Sequence, residues 1–281
     1  MKGLEKNVSK IVGIFMVKNE DVYIEQAIRN VVDFCDIIYV DDNMSTDNTT
    51  QILRKLESEF EHVHVRQIED TIKSNDNLVQ YIGTQTWVFA VDGDELYDRK
   101  RLVEMKRRLI SGEFDQWWLI LGNCLHVTKI DQQLQKATGY QAPPSSPMTK
   151  LYNFSLISSF PIKDERLHGT PVFKDGGDAP SKWLWFCREN SWEESCFRCL
   201  HVAFVQRSST PKSESRFLGV RLNPPQIYSL KKIWRDYSFF YAFPRAAKQV
   251  VEILLGIDTR NQRYKKGKKH SHSTKSFFEN E

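Results

Sequence analysis

The chain is 281 residues long, 40% hydrophobic, 12% aromatic and 27% charged, with a formal net charge of +4. That balance supports a full hydrophobic core and excludes both a disordered chain and a chain of membrane-spanning helices. The positive excess is local: residues 260–281 carry seven Lys or Arg against two Glu, and the rest carries 33 basic against 34 acidic residues, so no nucleic-acid partner is expected, a non-enzymatic nucleic-acid-binding protein using the basic tail being an alternative reading.

Residues 11–17 form a short apolar run that ends at Lys18-Asn19-Glu20 without a small-residue cleavage site, too short for a signal sequence. Five scattered cysteines make no disulfide framework, which predicts a reducing, cytoplasmic location. Being continuously apolar, residues 11–17 read as a strand buried on both faces. Val22, Ile24, Ala27, Ile28, Val31 and Val32 then recur largely at helical spacing behind Asn19 or Asp21 as cap, and residues 37–40 return to strand. After Asp41-Asp42, Ser45 or Thr46 caps a helix whose buried stripe is Ile52, Leu53, Leu56 and Phe60, and residues 63–68 alternate as a third strand. A helix is expected around 77–84, a strand at 87–91, an amphipathic helix at 99–110 closing at Ser111-Gly112, and a buried strand at 117–121. Strands and helices alternating at βαβ spacing predict an α/β fold with a mostly parallel sheet and flanking helices.

Past Leu125 the alternation fades. The Pro/Ser-rich residues 141–147 read as a surface loop, and short strands are expected at 150–154, 182–186 and 197–205. Ile227, Leu230, Ile233, Trp234, Tyr237, Phe240 and Tyr241 recur at helical spacing until Pro244 forces a kink or a new helix, which predicts a helical C-terminal extension. From residue 260 onward, the Lys-rich and then His/Ser-rich composition is that of a disordered tail.

Acids collect where strands stop. Asp41-Asp42 follows Ile37-Ile38-Tyr39-Val40, and Asp92-Gly93-Asp94-Glu95 follows Trp87-Val88-Phe89-Ala90-Val91. Open α/β sheets bind ligands outside the carboxyl ends of their parallel strands, so acids on different strands converge there on one ligand or metal. Asp92-Gly93-Asp94 is a D-x-D arrangement whose hard oxygen ligands suit Mn2+ or Mg2+. Asn19-Glu20 ends the first strand, and Asp41-Asp42-Asn43-Met44-Ser45-Thr46-Asp47-Asn48-Thr49 follows the second. With the D-x-D-Glu after a Trp-containing strand, these ordered motifs resemble the GT-A (Rossmann-like) glycosyltransferases of family 2.

The resemblance implies a metal-dependent, inverting transferase that moves a sugar from a nucleotide-diphosphate donor, a UDP-sugar being favoured, to a hydroxyl of a glycan or lipid-linked acceptor. It implies that Asp42 contacts the donor's base, that Asp41 supports the turn or the ribose, that Asp92 faces the ribose side, and that Asn19 and Glu20 belong to the donor site. Asp94 would ligate Mn2+ or Mg2+ at the diphosphate, and His201 resembles the late histidine that completes the metal site. Met44 departs from the pattern, since many members have Gly there, which puts the loop conformation in question. Residues 163–169 are similar to an acid-containing stretch in the acceptor half of small bacterial members. Asp164 or Glu165 is expected there as the base, and Arg166 or His168 as the holder of diphosphate or acceptor. The implied division is a nucleotide-sugar-binding half (1–125), an acceptor-binding half of the same domain (126–222), C-terminal helices (223–259) and a basic tail (260–281).

Competing readings attach to other residues. Cys187, Cys196, Cys199 and His201 include one C-x-x-C and form a candidate structural zinc set. A sugar-phosphate nucleotidyltransferase would share the acids at strand ends, but it calls for a Gly-rich basic loop after the first strand, where Gly13 and Lys18 stand alone. A dinucleotide oxidoreductase would need G-x-G-x-x-G at that place. Lys231, Lys232, Arg235, Arg245 and Lys248 among the late aromatics, with the basic tail, predict peripheral contact with the inner face of an anionic membrane.

Overall fold

A computed structural model describes residues 10–147, 150–161, 167, 169–210 and 263–278. At the centre lies β1 (Lys10–Val17), flanked in parallel by β2 (Ile37–Asp42) on one side and β4 (Thr86–Val91) on the other, with β3 (Val63–Gln67) beyond β2. The continuous apolar run of β1 serves two cores. Ile11, Phe15 and Val17 join the cluster formed with α1 (Ile24–Val31), α2 (Thr49–Glu59) and α3 (Arg99–Ile110), while Val12 and Ile14 join a second cluster around Trp118, Phe154 and Phe160. Each such buried side chain contributes about 1.5–3 kcal/mol, which fixes the strand at the middle of the molecule.

Beyond β4 the sheet continues through β9 (Lys150–Asn153), β6 (Leu119–Leu121) and β12 (Trp183–Leu184), in the order β12-β6-β9-β4-β1-β2-β3. Only β9 runs against its neighbours, so the sheet is mostly parallel, as its sequence pattern predicts. A second sheet has the order β14-β8-β7-β13-β5, built from β5 (Glu95–Tyr97), β7 (Asn123–Asp131), β8 (Lys136–Ala142), β13 (Arg198–His201) and β14 (Lys269–Ser273). Asp92, Gly93 and Asp94 are the entire link between β4 and β5, so the acidic turn is the joint between the sheets. A short pair, β10 (Ile157–Ser159) and β11 (Val172–Phe173), completes the strands.

Several elements differ from the sequence expectation. In place of a helix at 77–84 there are two 3-10 turns, Thr71–Asn75 and Val79–Tyr81. The Asp70 carboxylate accepts from Ile72 N at 3.0 Å and the Asn75 amide donates to Ile72 O at 2.9 Å, the kind of local side-chain bonding that competes with a regular helix. At 182–186 the strand is only Trp183–Leu184, and a helical turn, α4 (Phe186–Glu189), follows. β13 ends at His201, short of the expected 205. The long β7–β8 hairpin has no counterpart in the sequence reading, β8 takes the first two residues of the expected 141–147 loop, and the expected division after residue 125 falls inside β7. Gly139 makes this hairpin possible, because a Cβ there would stand 2.1 Å from the His126 carbonyl oxygen.

The expected disordered tail is corrected as well. β14 pairs antiparallel with β8, and α5 (Lys275–Phe278) returns Phe277, 1% exposed, to the main core. Asn30 Nδ2 donates to Phe277 O at 3.0 Å. Lys and His side chains along β14 point largely outward and blunt the sheet edge, so a composition that reads as disorder belongs to an edge strand with few apolar anchors. Residues 223–259, with the expected helical extension, lie outside the described residues. Among the described residues no helix is long and apolar enough to cross a membrane.

Candidate functional site

The acidic turn is held from both sides. Gly93 lies against the end of β1, where an added Cβ would meet Val17 Cγ1 and Glu20 Cγ at 3.1 Å. Glu95 N donates to Asp92 O at 3.0 Å, Asp92 N to Glu95 Oε2 at 3.3 Å, and Val202 N to Asp94 O at 2.8 Å. Glu95 also accepts from the Tyr97 hydroxyl at 3.0 Å, and burial raises its carboxyl well above the ordinary range. A neutral Glu95 supports the turn and leaves the negative charge to its neighbour.

Asp94, 4% exposed, is the centre of a buried charged group. His201 Nε2 lies 3.5 Å from Asp94 Oδ2, Arg207 Nη1 donates to the same oxygen, and Arg207 Nη1 is 3.3 Å from Glu20 Oε1. Burial pushes the His201 pKa down, against the pull of Asp94, and favours the neutral imidazole. Burial opposes the charge on Arg207, but Asp94 and Glu20 outweigh it and raise its pKa. Two carboxylates therefore converge on one guanidinium, with the imidazole beside them. Two ligands at about 2.0–2.2 Å from one ion lie about 3.0–3.5 Å apart, so Asp94 and His201 fit a divalent cation. Arg207 Nε is buried without a hydrogen-bond partner among the described residues, a donor in place for an anionic ligand.

The loop after β2 is organised by its own polar side chains. Asp42 is fully buried, with Oδ1 accepting from Ser45 N at 3.0 Å and Oδ2 from the Thr50 hydroxyl at 2.6 Å. Both oxygens take part in the turn, so Asp42 holds the loop at the end of β2 in place. Asp41 accepts from Arg66 Nε at 2.5 Å and Arg66 Nη2 at 3.3 Å. Asn19 staples β1 to the loop, its N donating to Ser45 Oγ at 3.0 Å and its Oδ1 accepting from Thr46 N at 2.8 Å. Glu20 N donates to Thr49 Oγ1 at 2.8 Å. Met44 takes a left-handed φ of 54°, so the backbone keeps the conformation a glycine favours.

Asn19, Glu20, Asp41, Asp42, Asp92 and Asp94 thus lie at the β1, β2 and β4 strand ends, and β13 brings His201 to Asp94. Asp164, Glu165, Arg166 and His168 lie outside the described residues. The zinc set does not gather: Cys196 Sγ contacts Arg108 and Met105, and His201 groups instead with Cys124 and His126. Arg207 is a site residue that sequence reasoning missed, although a cation shortly after a candidate metal ligand was a signal. Asp21 and Asp47 are also drawn in, since Ser209 N donates to Asp21 Oδ1 at 2.7 Å and the Ser208 hydroxyl to Asp47 Oδ2 at 2.5 Å. These bonds stitch the segment after β13 to the loops of β1 and β2. A cavity of about 470 Å³ lined by Tyr23, Ile130, Gln135, Val205, Thr274 and Phe278 contains none of the acids.

The family described as Glycosyl transferase family 2 matches residues 14–161, just over half of the chain. No curated protein matches. Among solved structures, the chain is similar to glucosyl-3-phosphoglycerate synthase from Mycobacterium tuberculosis in complex with Mn2+, UDP and glucosyl-3-phosphoglycerate. The identity is 16% and the TM-score 0.37, over 56% of this chain and 61% of that one. The same enzyme with Mn2+ and UDP-glucose matches at 14% identity and TM-score 0.38, over 56% and 60%. The 4-diphosphocytidyl-2C-methyl-D-erythritol synthase of Anaerococcus prevotii DSM 20548 matches at 11% and 0.32, over 53% and 71%. The matched part of the synthase structures is about three fifths of their length.

Proposed function

Because the chain belongs to glycosyl transferase family 2, we propose that it moves a sugar from a nucleoside-diphosphate donor to a hydroxyl acceptor, with Mn2+ or Mg2+ held by Asp94 and His201. The observation that carries this reading is the buried Asp94 carboxylate at the joint of the two sheets, with His201 Nε2 and Arg207 Nη1 converging on one of its oxygens. A cation bound there would neutralise charge on the departing nucleoside diphosphate. Arg207, anchored by Asp94 and Glu20, offers its partnerless Nε–H to a diphosphate oxygen. Asp42, while holding the loop after β2, contacts the donor's base, Asp41 with Arg66 shapes the end of that strand for the turn or the ribose, and Asp92 faces the ribose side. A UDP-sugar is the favoured donor.

Inversion requires a base that takes the acceptor hydroxyl's proton. Asp164 or Glu165 fills that role in the proposal, with Arg166 or His168 holding diphosphate or acceptor, on the strength of the sequence. Full transfer activity in both Asp164→Asn and Glu165→Gln would remove them from it. A glycan or lipid-linked acceptor, peripheral contact of the basic C-terminal region with an anionic membrane, and a cytoplasmic location complete the reading. Composition supports these last points.

The deciding experiment is calorimetric titration of UDP, GDP and CDP into metal-depleted protein with and without Mn2+, repeated on Asp94→Ala. Metal-dependent binding of one nucleotide, lost in the variant, is expected. Failure of all three to bind under either condition would overturn the donor reading.

A further inference from the structure

Behind His201, away from Asp94, lies a second buried histidine that the transfer reaction as described does not use. His126 stands on β7 directly beside His201 of the parallel strand β13, in register, and is fully buried. The two Nδ1 atoms are 2.8 Å apart, and His126 Nε2 is 2.7 Å from the carbonyl oxygen of Ser146. That carbonyl is itself fixed: Ser146 N donates to Arg263 O at 2.9 Å, and the neighbouring Ser145 hydroxyl donates to Tyr264 O at 3.2 Å. The Tyr264 ring packs on His126 with centroids 4.7 Å apart.

These contacts dictate where the protons are. A carbonyl oxygen only accepts, so His126 Nε2 carries hydrogen. His126 is fully buried against a carbonyl, a second imidazole and a tyrosine ring, surroundings that disfavour a charged ring, so its Nδ1 has a lone pair and no hydrogen. The 2.8 Å contact between the two Nδ1 atoms then requires the hydrogen on His201 Nδ1. A neutral His201 is left with a bare Nε2, and this is the atom that faces Asp94 Oδ2 at 3.5 Å. Two electron-rich atoms at that separation repel unless a cation lies between them.

We propose that His126 is a positioning residue: through the Ser146 carbonyl it holds His201 in the Nδ1–H tautomer, so that the Nε2 lone pair is presented beside Asp94 to a divalent cation. The inference rests on the reading that Asp94 and His201 form the cation site. The alternative use of the same side chains, an ion shared by Cys124, His126 and His201, fits less well. Two nitrogens on one tetrahedral ion are about 3.3 Å apart, and 2.8 Å is the spacing of a hydrogen bond. A ligating imidazole whose other nitrogen is tied to a fixed acceptor is the general arrangement by which proteins raise metal affinity.

Two readouts test this. Nitrogen NMR of isotope-labelled histidine in the metal-free wild type at neutral pH should show hydrogen on Nδ1 of His201 and on Nε2 of His126; hydrogen on His201 Nε2 overturns the proposal. Mn2+ binding, read by calorimetry or paramagnetic resonance on variants whose thermal unfolding shows them folded, should weaken about 10- to 100-fold in His126→Leu. It should stay near wild type in His126→Asn, whose Oδ1 still accepts from His201. Undiminished binding in His126→Leu, or an equal loss in both variants with His201 still in the Nδ1–H form, overturns the positioning role. Binding that survives Asp94→Asn and vanishes in Cys124→Ala also overturns it and assigns the ion to the thiol side. Should the wild type bind no Mn2+, the cation reading fails, and the proposal fails with it even if the tautomer is as expected.

Discussion

The parallel sheet and the five-stranded sheet meet at Asp94 and are assembled in opposite ways. β1, β2 and β4 come from the first third of the chain, pack into the two apolar clusters, and deliver acids by ending where they do. The five-stranded sheet collects segments scattered from residue 95 to residue 273, and its contribution depends on register: His201 is opposite Glu95 on β5 and beside His126 on β7. One half of the site is therefore set by local chain geometry, and the other by long-range pairing that includes the tail.

The sharpest way to break the site at the joint is Asp94→Asn, which keeps shape and removes charge. Transfer activity should fall about 10³-fold with the fold retained by thermal melting, since the variant loses the charge proposed to hold the cation that stabilises the departing diphosphate. Wild-type activity in the variant would dissociate the acidic turn from the reaction. Next, Phe277→Ala should cost about 3–4 kcal/mol in urea unfolding, as expected for a fully buried aromatic. Leu53→Ala on α2 should cost about 2–4 kcal/mol, yet only the Phe277 variant should also weaken Mn2+ binding, because only it loosens the tail that seats Ser146. Equal effects of both on Mn2+ would erase the distinction between the halves.

A pH titration of stability addresses the second half alone. His126 is neutral in the folded protein down to about 4, while in the unfolded chain it takes up a proton below about 6.5. The unfolded state binds more protons in that interval, so the stability is present above about 6.5 and is lost as pH falls toward 4, by on the order of 3 kcal/mol. Buried Glu95, with its carboxyl raised, contributes in the opposite sense over the same window, so the readout is the difference between wild type and His126→Leu in urea unfolding of metal-free protein, which should grow with that sign and size. The smallest effect belongs to the first half. Met44 pays for its left-handed φ about 1–2 kcal/mol, and a glycine forfeits about 0.5–1 kcal/mol of chain entropy, so Met44→Gly should gain about 0.5–1 kcal/mol. A loss of stability in that variant would show that the exposed side chain contributes more than its backbone costs.

This division also accounts for what the sequence made legible. Asp41, Asp42, Asp92 and Asp94 stand out because the apolar run before each cluster marks a strand and its end. The bonds that Asp42 makes within its own loop did not follow, because Ser45 and Thr50 curling back on a carboxylate leave no mark in residue spacing. His126 carries no local signature of function, and Arg207 only its place shortly after His201. Their neighbours are Glu20, Asp94, His201 and Ser146, and only strand pairing brings these together. The Lys/His stretch of β14 was opaque for a different reason, since an edge strand with a solvated face has the same composition as a tail with no structure.

The hydrogen bond from Asn30 to the carbonyl of Phe277 joins residues 247 positions apart. At roughly 5–20 residues per second, a ribosome needs roughly 12–50 s to make that intervening stretch. Throughout that interval α1 has been synthesised, but of the two backbone carbonyls that receive its buried amide, Tyr97 and Phe277, the second has not. Beside it, the edge of β8 that β14 will cover has no partner. The second sheet therefore closes only once the last described segment has emerged.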